Sequence, residues 1–439
     1  MLAYYFRMAL HNLRMSKVLS AVMVFAVALG IGASSTMLTV LHNLSGDPIP
    51  SRSGVLFHPQ IDPRPVDMVG AGNEPPDNLT WQDSINIYGL SKAELRTLTG
   101  ANWLPAQVDP INNALAMVDA RGATASFFSL FDVPFIYGSP WSEQDDSARA
   151  LKVVLTKSMN ERIFGGKNSV GSTMIIATKM FQVAGVIEDW NPQPHFYDLS
   201  GGRSGAYGEG QQLFIPFFTW LDLPQDYGYG TMECWGPNAD AGKRNPKSEQ
   251  CAWIQMWVQL NDASEVQEYE RKLKNYSADQ FTVGRFQRPP NVRLRNVPEW
   301  LDYKRVIPSM VRMQAWIAFG MLFVCLVNSI GLLMAKFIRR AGDIGVRRAL
   351  GATRTAVFAQ CLVEAGMIGL LGGLIGIPLS WAGLAVLRMQ PIPYAKQLHV
   401  DATMLVVAVL IAVGAALLAG IWPAWRASRV APVLQMKSL

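Results

Sequence analysis

Charge is scarce in this sequence. Asp, Glu, Lys and Arg make up 16% of its 439 residues, whereas hydrophobic types make up 50%. An ordinary soluble domain carries charge on about a quarter of its residues, so that class is excluded. Histidine is rarer still: His11, His42, His58, His195 and His399 are scattered, and none belongs to a His-Glu-x-x-His pair. There is no Gly-x-Ser-x-Gly, and the four cysteines form no Cys-x-x-Cys. These absences argue against a hydrolase, a metalloenzyme and a dithiol redox enzyme. A phosphate-binding Gly-x4-Gly-Lys-Ser/Thr loop is missing too. Its nearest approach, Gly165-Gly166-Lys167-Asn168, has Glu161 at the first glycine position and Asn168 where Ser or Thr belongs. The chain reads as a non-enzyme with no metal site and no cofactor of its own.

What is present is long apolar runs, over 18–41, 315–335, 357–387 and 402–425. Each reaches the roughly 20 residues needed to cross about 30 Å of hydrocarbon as a helix. The net charge of +6 conceals a division: from Asp47 to Arg305 there are 24 Lys+Arg against 30 Asp+Glu, a net −6, which leaves +12 for the rest. Such basicity at helix ends sets membrane orientation and is not a nucleic-acid footprint. Arg7, Arg14 and Lys17 precede the first run, six Lys or Arg lie from Lys336 to Arg354, and Arg426, Arg429 and Lys437 follow the fourth. By the positive-inside rule both termini and the loop near 339–356 are cytoplasmic, and the segment from about 43 to 308 is outside. A cleaved signal peptide over 1–35 is the alternative for the first run, but the run continues to Leu41, beyond a typical signal core.

The expected fold is thus four transmembrane helices with a large α+β extracytoplasmic domain between helices 1 and 2. The divisions are 1–17 (amphipathic surface helix), 18–42, 43–308 (α+β domain in two subdomains), 309–338, 339–356 (cytoplasmic loop), 357–387, 388–401, 402–425 and 426–439. Tyr4, Tyr5, Phe6, Leu10 and Leu13 interleave with Arg7, His11 and Arg14, which suits a helix lying flat on the membrane. In the exported segment, runs at 108–118, 152–156, 174–177, 181–187, 213–216 and 252–260 read as strands, and 90–98 and 264–276 as helices. Two loops, 200–210 and 224–250, exceed ordinary connections. Cys234 lies in the second and Cys251 directly after it; a disulfide between them is expected in an oxidising compartment, with two unpaired thiols as the alternative. Closing such a loop contributes about 3 kcal/mol.

In the third run Gly366, Gly369, Gly373 and Gly376 recur at spacings of three and four along one expected face, with Gly369/Gly373 and Gly372/Gly376 as interlocked Gly-xxx-Gly pairs. Pro378 is expected to kink the outer end. Lys336 is expected to snorkel to the cytoplasmic interface. Glu364, near that interface, is either a coupling residue or an interfacial group paired with an Arg.

The densest motif is Asp343-Ile-Gly-Val-Arg-Arg-Ala-Leu-Gly-Ala-Thr-Arg354. Physically it is a basic hairpin: a short helix from Ile344 to Leu350, then Gly351 as a residue that lets the chain reverse. Val346, Ala349 and Leu350 on one side, with Arg347 and Arg348 on the other, suit docking into a groove. This stretch resembles the "EIGVRRALGATR" motif of ABC permeases of the macrolide-exporter, lipoprotein-release and cell-division type. Glu364-Ala365 with the glycines after it, Pro423-Ala-Trp-Arg426-Ala427, Phe164-Gly-Gly-Lys-Asn-Ser-Val-Gly171 and Phe181-Gln-Val-Ala-Gly-Val-Ile187 extend the resemblance over nearly the whole chain.

The resemblance implies a mechanotransmission permease of the bacterial inner membrane, paired with a second permease, identical or paralogous. Each permease engages an ABC ATPase that binds ATP and Mg through the loop carrying Asp343, Ile344, Gly345, Val346, Arg347, Arg348, Ala349, Leu350, Gly351 and Ala352. Ile344 to Ala352 would be the coupling helix. Macrolide-exporter members carry their ATPase ahead of helix 1, whereas 17 residues precede it here, so the ATPase is expected in trans. The implied work is export of a peptide, antibiotic, lipid or lipoprotein, with a periplasmic adaptor, an outer-membrane duct and membrane lipids as partners. The alternative is a non-transporting permease that regulates a cell-wall hydrolase or a sensor.

Overall fold

The computed structural model describes all residues except 1, 69–71, 91–94, 110, 111, 113, 200–204, 225–229, 237–244, 393, 401 and 430–439. Residues 200–204 of the expected 200–210 loop, residues 225–229 and 237–244 of the 224–250 loop, and Lys437 lie outside the described residues. The chain forms two compact units: Met1–Ser45 with Ile307–Leu439, and Gly46–Val306.

In the first unit, a helix over Leu2–Met15 is followed by span 1 (Lys17–Leu44), span 2 (Ser309–Arg339), a short helix (Ala341–Ala349), span 3 (Arg354–Arg388) and span 4 (Ala402–Ser428). All four spans are long and apolar enough to cross a membrane. The N-terminal helix has one packed face. It packs against span 3 and buries Ala9, Asn12 and Leu13, which leaves Tyr4, Phe6 and Leu10 outside. Span 3 runs helically through Pro378 to Arg388 and does not break there.

The second unit is built on one mixed sheet: β1 (Leu56–Ile61), β2 (Leu79–Thr80), β3 (Arg96–Asp109), β4 (Ala114–Ala123), β5 (Phe135–Gly138), β6 (Lys152–Thr156), β7 (Thr173–Ile176), β8 (Lys179–Ile187), β9 (Leu213–Pro216), β10 (Glu233–Cys234), β11 (Cys251–Gln259) and β12 (Val292–Asn296). The ladder runs β12-β1-β11-β3-β4-β9-β6-β8-β5 without a gap. The expected split into two subdomains therefore has no counterpart in the hydrogen bonding, although the apolar residues fall into two clusters.

Local corrections have local causes. The run at 108–118 is not one strand: it ends β3 at Asp109 and begins β4 at Ala114, with Gln107 paired to Leu115 and Asp109 to Ala114, and residues 110, 111 and 113 lie outside the described residues. Residues 96–98 begin β3 instead of ending a helix, and residues 91–94 lie outside the described residues. The helix of that region lies earlier, over Trp81–Tyr88, where Thr80 Oγ1 accepts the Asp83 amide at 3.2 Å; this Thr-x-x-Asp cap was readable in the sequence. The helix expected at 264–276 extends to Thr282 and is capped by Asp262.

Two glycines sit where only glycine fits. Gly100 and Gly122 pair across β3 and β4, and the Trp220 indole lies over both, 2.9 Å and 2.4 Å from where a β-carbon would stand. Trp220 Nε1 donates to Asn102 Oδ1 at 2.7 Å. Deeper still, Arg121 is fully buried and pairs with Asp198. It donates to Thr99 Oγ1 at 3.0 Å, and its guanidinium lies 4.8 Å from the Tyr197 ring centre. A charge so placed is tolerated only because its partners are fixed around it.

Cys234 and Cys251 form a disulfide that joins β10 to the first residue of β11. Replacing both by serine in the full chain is expected to lower the unfolding free energy of this unit by about 3 kcal/mol. Denaturant titration followed by tryptophan emission checks it; an unmoved midpoint would show that the bridge contributes nothing.

Candidate functional site

The hairpin between spans 2 and 3 is defined by backbone geometry. Span 2 ends where Arg340 leaves helical torsions, at φ −105° and ψ 14°. The short helix that follows occupies Ala341–Ala349, so it begins three residues before the expected Ile344, and Leu350, Gly351 and Ala352 belong to the turn. Gly351 has φ +102°. Its amide donates to Arg348 O at 3.2 Å, and the Ala352 amide to Arg347 O at 3.1 Å. These two bonds make a complete Schellman C-cap, which only a residue at ease with positive φ closes without strain. Thr353 then caps span 3, its Oγ1 accepting the Ala356 amide at 3.2 Å. The Leu-Gly-Ala-Thr stretch is thus one helix stop joined to one helix start.

The side chains of this helix divide into a held and a free set. Ile344 and Gly345 are buried. Arg347 donates to Gln360 Oε1 at 3.1 Å and lies 2.9 Å from Met8 Sδ, while Arg348 donates to the Ser428 carbonyl at 3.3 Å. Asp343, Val346, Ala349 and Leu350 face outward, with Val346 48% and Leu350 83% exposed. A groove of about 840 Å³ runs between this helix and the N-terminal helix, lined in part by Arg7, Met8, His11, Asp343 and Val346.

Behind the hairpin lies a buried charge cluster. Glu364 and Lys336 are each 1% exposed. Glu364 Oε1 is 2.7 Å from Lys336 Nζ, and Oε2 accepts from Asn12 Nδ2 at 3.1 Å and Arg340 Nη1 at 3.4 Å. Arg340 Nη2 also donates to Asn12 Oδ1 at 2.6 Å, and Lys336 Nζ to Ser20 Oγ at 3.0 Å. Lys336 therefore turns inward to the carboxylate and does not snorkel. One carboxylate gathers the N-terminal helix, spans 1, 2 and 3, and the start of the short helix. Sequence reasoning singled out Glu364 but missed Asn12 and Lys336 as its partners, and Ser20 as the hydroxyl that holds Lys336. The available signal was a lone Lys in the last turn of an apolar helix that has a single Glu in the next one.

The glycines of span 3 do not share a face. Gly366, Gly369 and Gly373 meet span 4: a β-carbon at Gly369 would lie 2.5 Å from Ala416 Cβ and 2.7 Å from Ala412 O, and one at Gly373 2.9 Å from Ala412 Cβ. Gly372 and Gly376 meet span 1, at 2.7 Å from Val27 Cγ1 and 3.0 Å from Ile31 Cγ2. At about 100° per residue, positions 373 and 376 diverge enough to serve different neighbours, so span 3 is the middle layer of the bundle. Among the described residues no group of His, Cys, Asp and Glu gathers as metal ligands.

Comparison with known proteins agrees with this division of the chain. Residues 20–276 match the MacB-like periplasmic core domain, and residues 315–432 the FtsX-like permease C-terminal domain. The chain is 24% identical over 319 residues to a pyoverdine export ATP-binding/permease protein, PvdT, of Pseudomonas syringae, covering 72% of this chain and 42% of that one. It is also 24% identical over 318 residues to the macrolide export ATP-binding/permease protein MacB of Wolinella succinogenes, covering 72% and 43%. The chain thus spans less than half the length of these curated relatives. The crystal structure of the periplasmic region of MacB from Actinobacillus actinomycetemcomitans covers 59% of this chain and 95% of that one, at 15% identity and a TM-score of 0.36, too slight a likeness to argue from.

Two substitutions test the packing. Gly369→Val collides with span 4 backbone and is expected to destabilise the protein by about 1–3 kcal/mol. Gly366→Ala meets only the movable Leu417 Cδ2 at 3.1 Å and should be tolerated; melting temperatures in detergent compare the two. Glu364→Gln strands the buried Lys336 charge and is expected to cost about 3–5 kcal/mol, whereas Glu364→Leu combined with Lys336→Met should cost much less. Equal losses in the single and double variants would refute the ion pair's role.

Proposed function

Because the chain belongs to the family of ABC transporter permeases that join a MacB-like periplasmic core to an FtsX-like C-terminal domain, we propose that it transmits the work of a separate ABC ATPase to that periplasmic domain and so drives export. The protein is a multi-pass protein of the inner membrane with its large domain in the periplasm. Both matched segments are permease domains. ATP and Mg would be bound by the ATPase partner.

The observation that carries the proposal is the contrast within the short helix. Its backbone is fixed by a C-cap and its inner residues by burial, yet Leu350 at the tip is 83% exposed. An exposed leucine beside Val346 gives the isolated chain no folding benefit and suits an apolar pocket on a partner, with Arg347 and Arg348 steering the approach. Force applied there reaches the N-terminal helix through Met8, span 3 through Gln360 and span 4 through Ser428. A second permease is supported by span 2, which leaves Trp316, Ile317, Phe323 and Val324 more than half exposed along its length. The named relatives are a pyoverdine export and a macrolide export protein; the cargo class proposed here is a peptide, antibiotic, lipid or lipoprotein, passed on through an adaptor and an outer-membrane duct.

Leu350→Asp places a charge at the docking tip, and Gly351→Pro forbids the φ of +102° that closes the turn. Each is expected to reduce stimulation of the co-purified ATPase at least tenfold while membrane insertion is unchanged. Wild-type stimulation in either variant would refute docking through this turn.

A further inference from the structure

We propose that the groove between the start of span 1 and the end of span 2 binds the phosphodiester headgroup of an anionic lipid from the cytoplasmic leaflet. The groove has a volume of about 580 Å³, and every ionisable side chain that lines it is a cation: Lys17, Lys336, Arg339 and Arg340. Two of these are already engaged. Lys336 and Arg340 share Glu364, so the single carboxylate of the cluster is spent within the protein. Lys17 and Arg339 have no ion-pair or hydrogen-bond partner among the described residues. They are the first residue of span 1 and the last of span 2, so they stand at the same, cytosolic, boundary of the bundle. Unmatched positive charge beside a low-dielectric layer draws an anion strongly, and the headgroup region supplies phosphates at that depth.

The shape of the site favours a lipid over a free anion. Val18 and Val22 form the groove's apolar wall. Together with Phe25 they follow an i, i+4, i+7 stripe, 80%, 51% and 58% exposed, that climbs from the cations toward the membrane interior. A phosphate seated between Lys17 and Arg339 would lead its acyl chain along that stripe. A free phosphate would leave the wall bare. A phosphocholine headgroup brings its own cation into a site that already has a surplus, so discrimination should follow headgroup net charge. The arrangement lies within a few residues of the hairpin, since Arg340 lines the groove and also opens the short helix.

The test is native mass spectrometry of the full chain in detergent, with phosphatidylglycerol or phosphatidylcholine added at equal concentration. Phosphatidylglycerol is expected to be retained at least tenfold more. Lys17→Gln with Arg339→Gln should bring its retention down to the phosphatidylcholine level, with the lipid-free melting temperature unchanged because both side chains are exposed. Lys17→Arg with Arg339→Lys should keep the preference. Equal retention of the two lipids by the native chain, or undiminished phosphatidylglycerol on the double glutamine variant, would overturn the site. Full displacement of phosphatidylglycerol by millimolar inorganic phosphate would also overturn it, by reducing the groove to an anion site.

Discussion

A single buried carboxylate organises the cytosolic half of this molecule. Glu364 sits among apolar residues of span 3, where an unpaired charge would cost several kcal/mol, and it is met from three directions by Lys336, Arg340 and Asn12. Lys336 and Arg340 stand one turn apart at the end of span 2, and Asn12 comes from the N-terminal helix. The pairing therefore fixes which end of span 2 abuts span 3, where the N-terminal helix docks, and at which residue span 2 gives way to the short helix. Apolar contacts alone would permit sliding of one smooth helix on another. A charge with directional partners does not.

The glycine contacts supply the complementary constraint. With backbone approached to backbone on both sides of span 3, spans 1, 3 and 4 are held at distances that leave no space for even a methyl group at Gly369 or Gly372. Span 2 meets span 1 closely as well: a β-carbon at Gly30 would stand 3.1 Å from Leu322 Cα, and the Ser34 hydroxyl donates to Ala318 O at 3.1 Å. Span 2 then leads directly into the hairpin.

Much of this was legible in the sequence because the signals were physical and local. Four apolar runs and the clustering of Lys and Arg at their ends gave the spans, and the Gly-xxx-Gly spacings marked the close contacts. What escaped was set by three-dimensional pairing. The glycines were read as one stripe, yet a helix with neighbours on both sides needs two. Lys336 was read as an interfacial cation because snorkelling is the default for a lysine at a helix end, and only the fold reveals a carboxylate within reach. In the exported unit, 108–118 reads as a single strand because apolar residues recur along it, from Val108 through Leu115 to Val118.

The turn after the short helix separates two tasks that proteins often load onto the same residues. Its shape is secured by Gly351 and by the Thr353 hydroxyl, with the remaining bonds made by backbone atoms. Val346 and Leu350, which stand free, contribute nothing to closing it. If an ATPase docks on this tip as proposed, selectivity for one motor over another is uncoupled from foldability, and gene duplicates could diverge in allegiance through a pair of aliphatic positions while the turn beneath them stays the same.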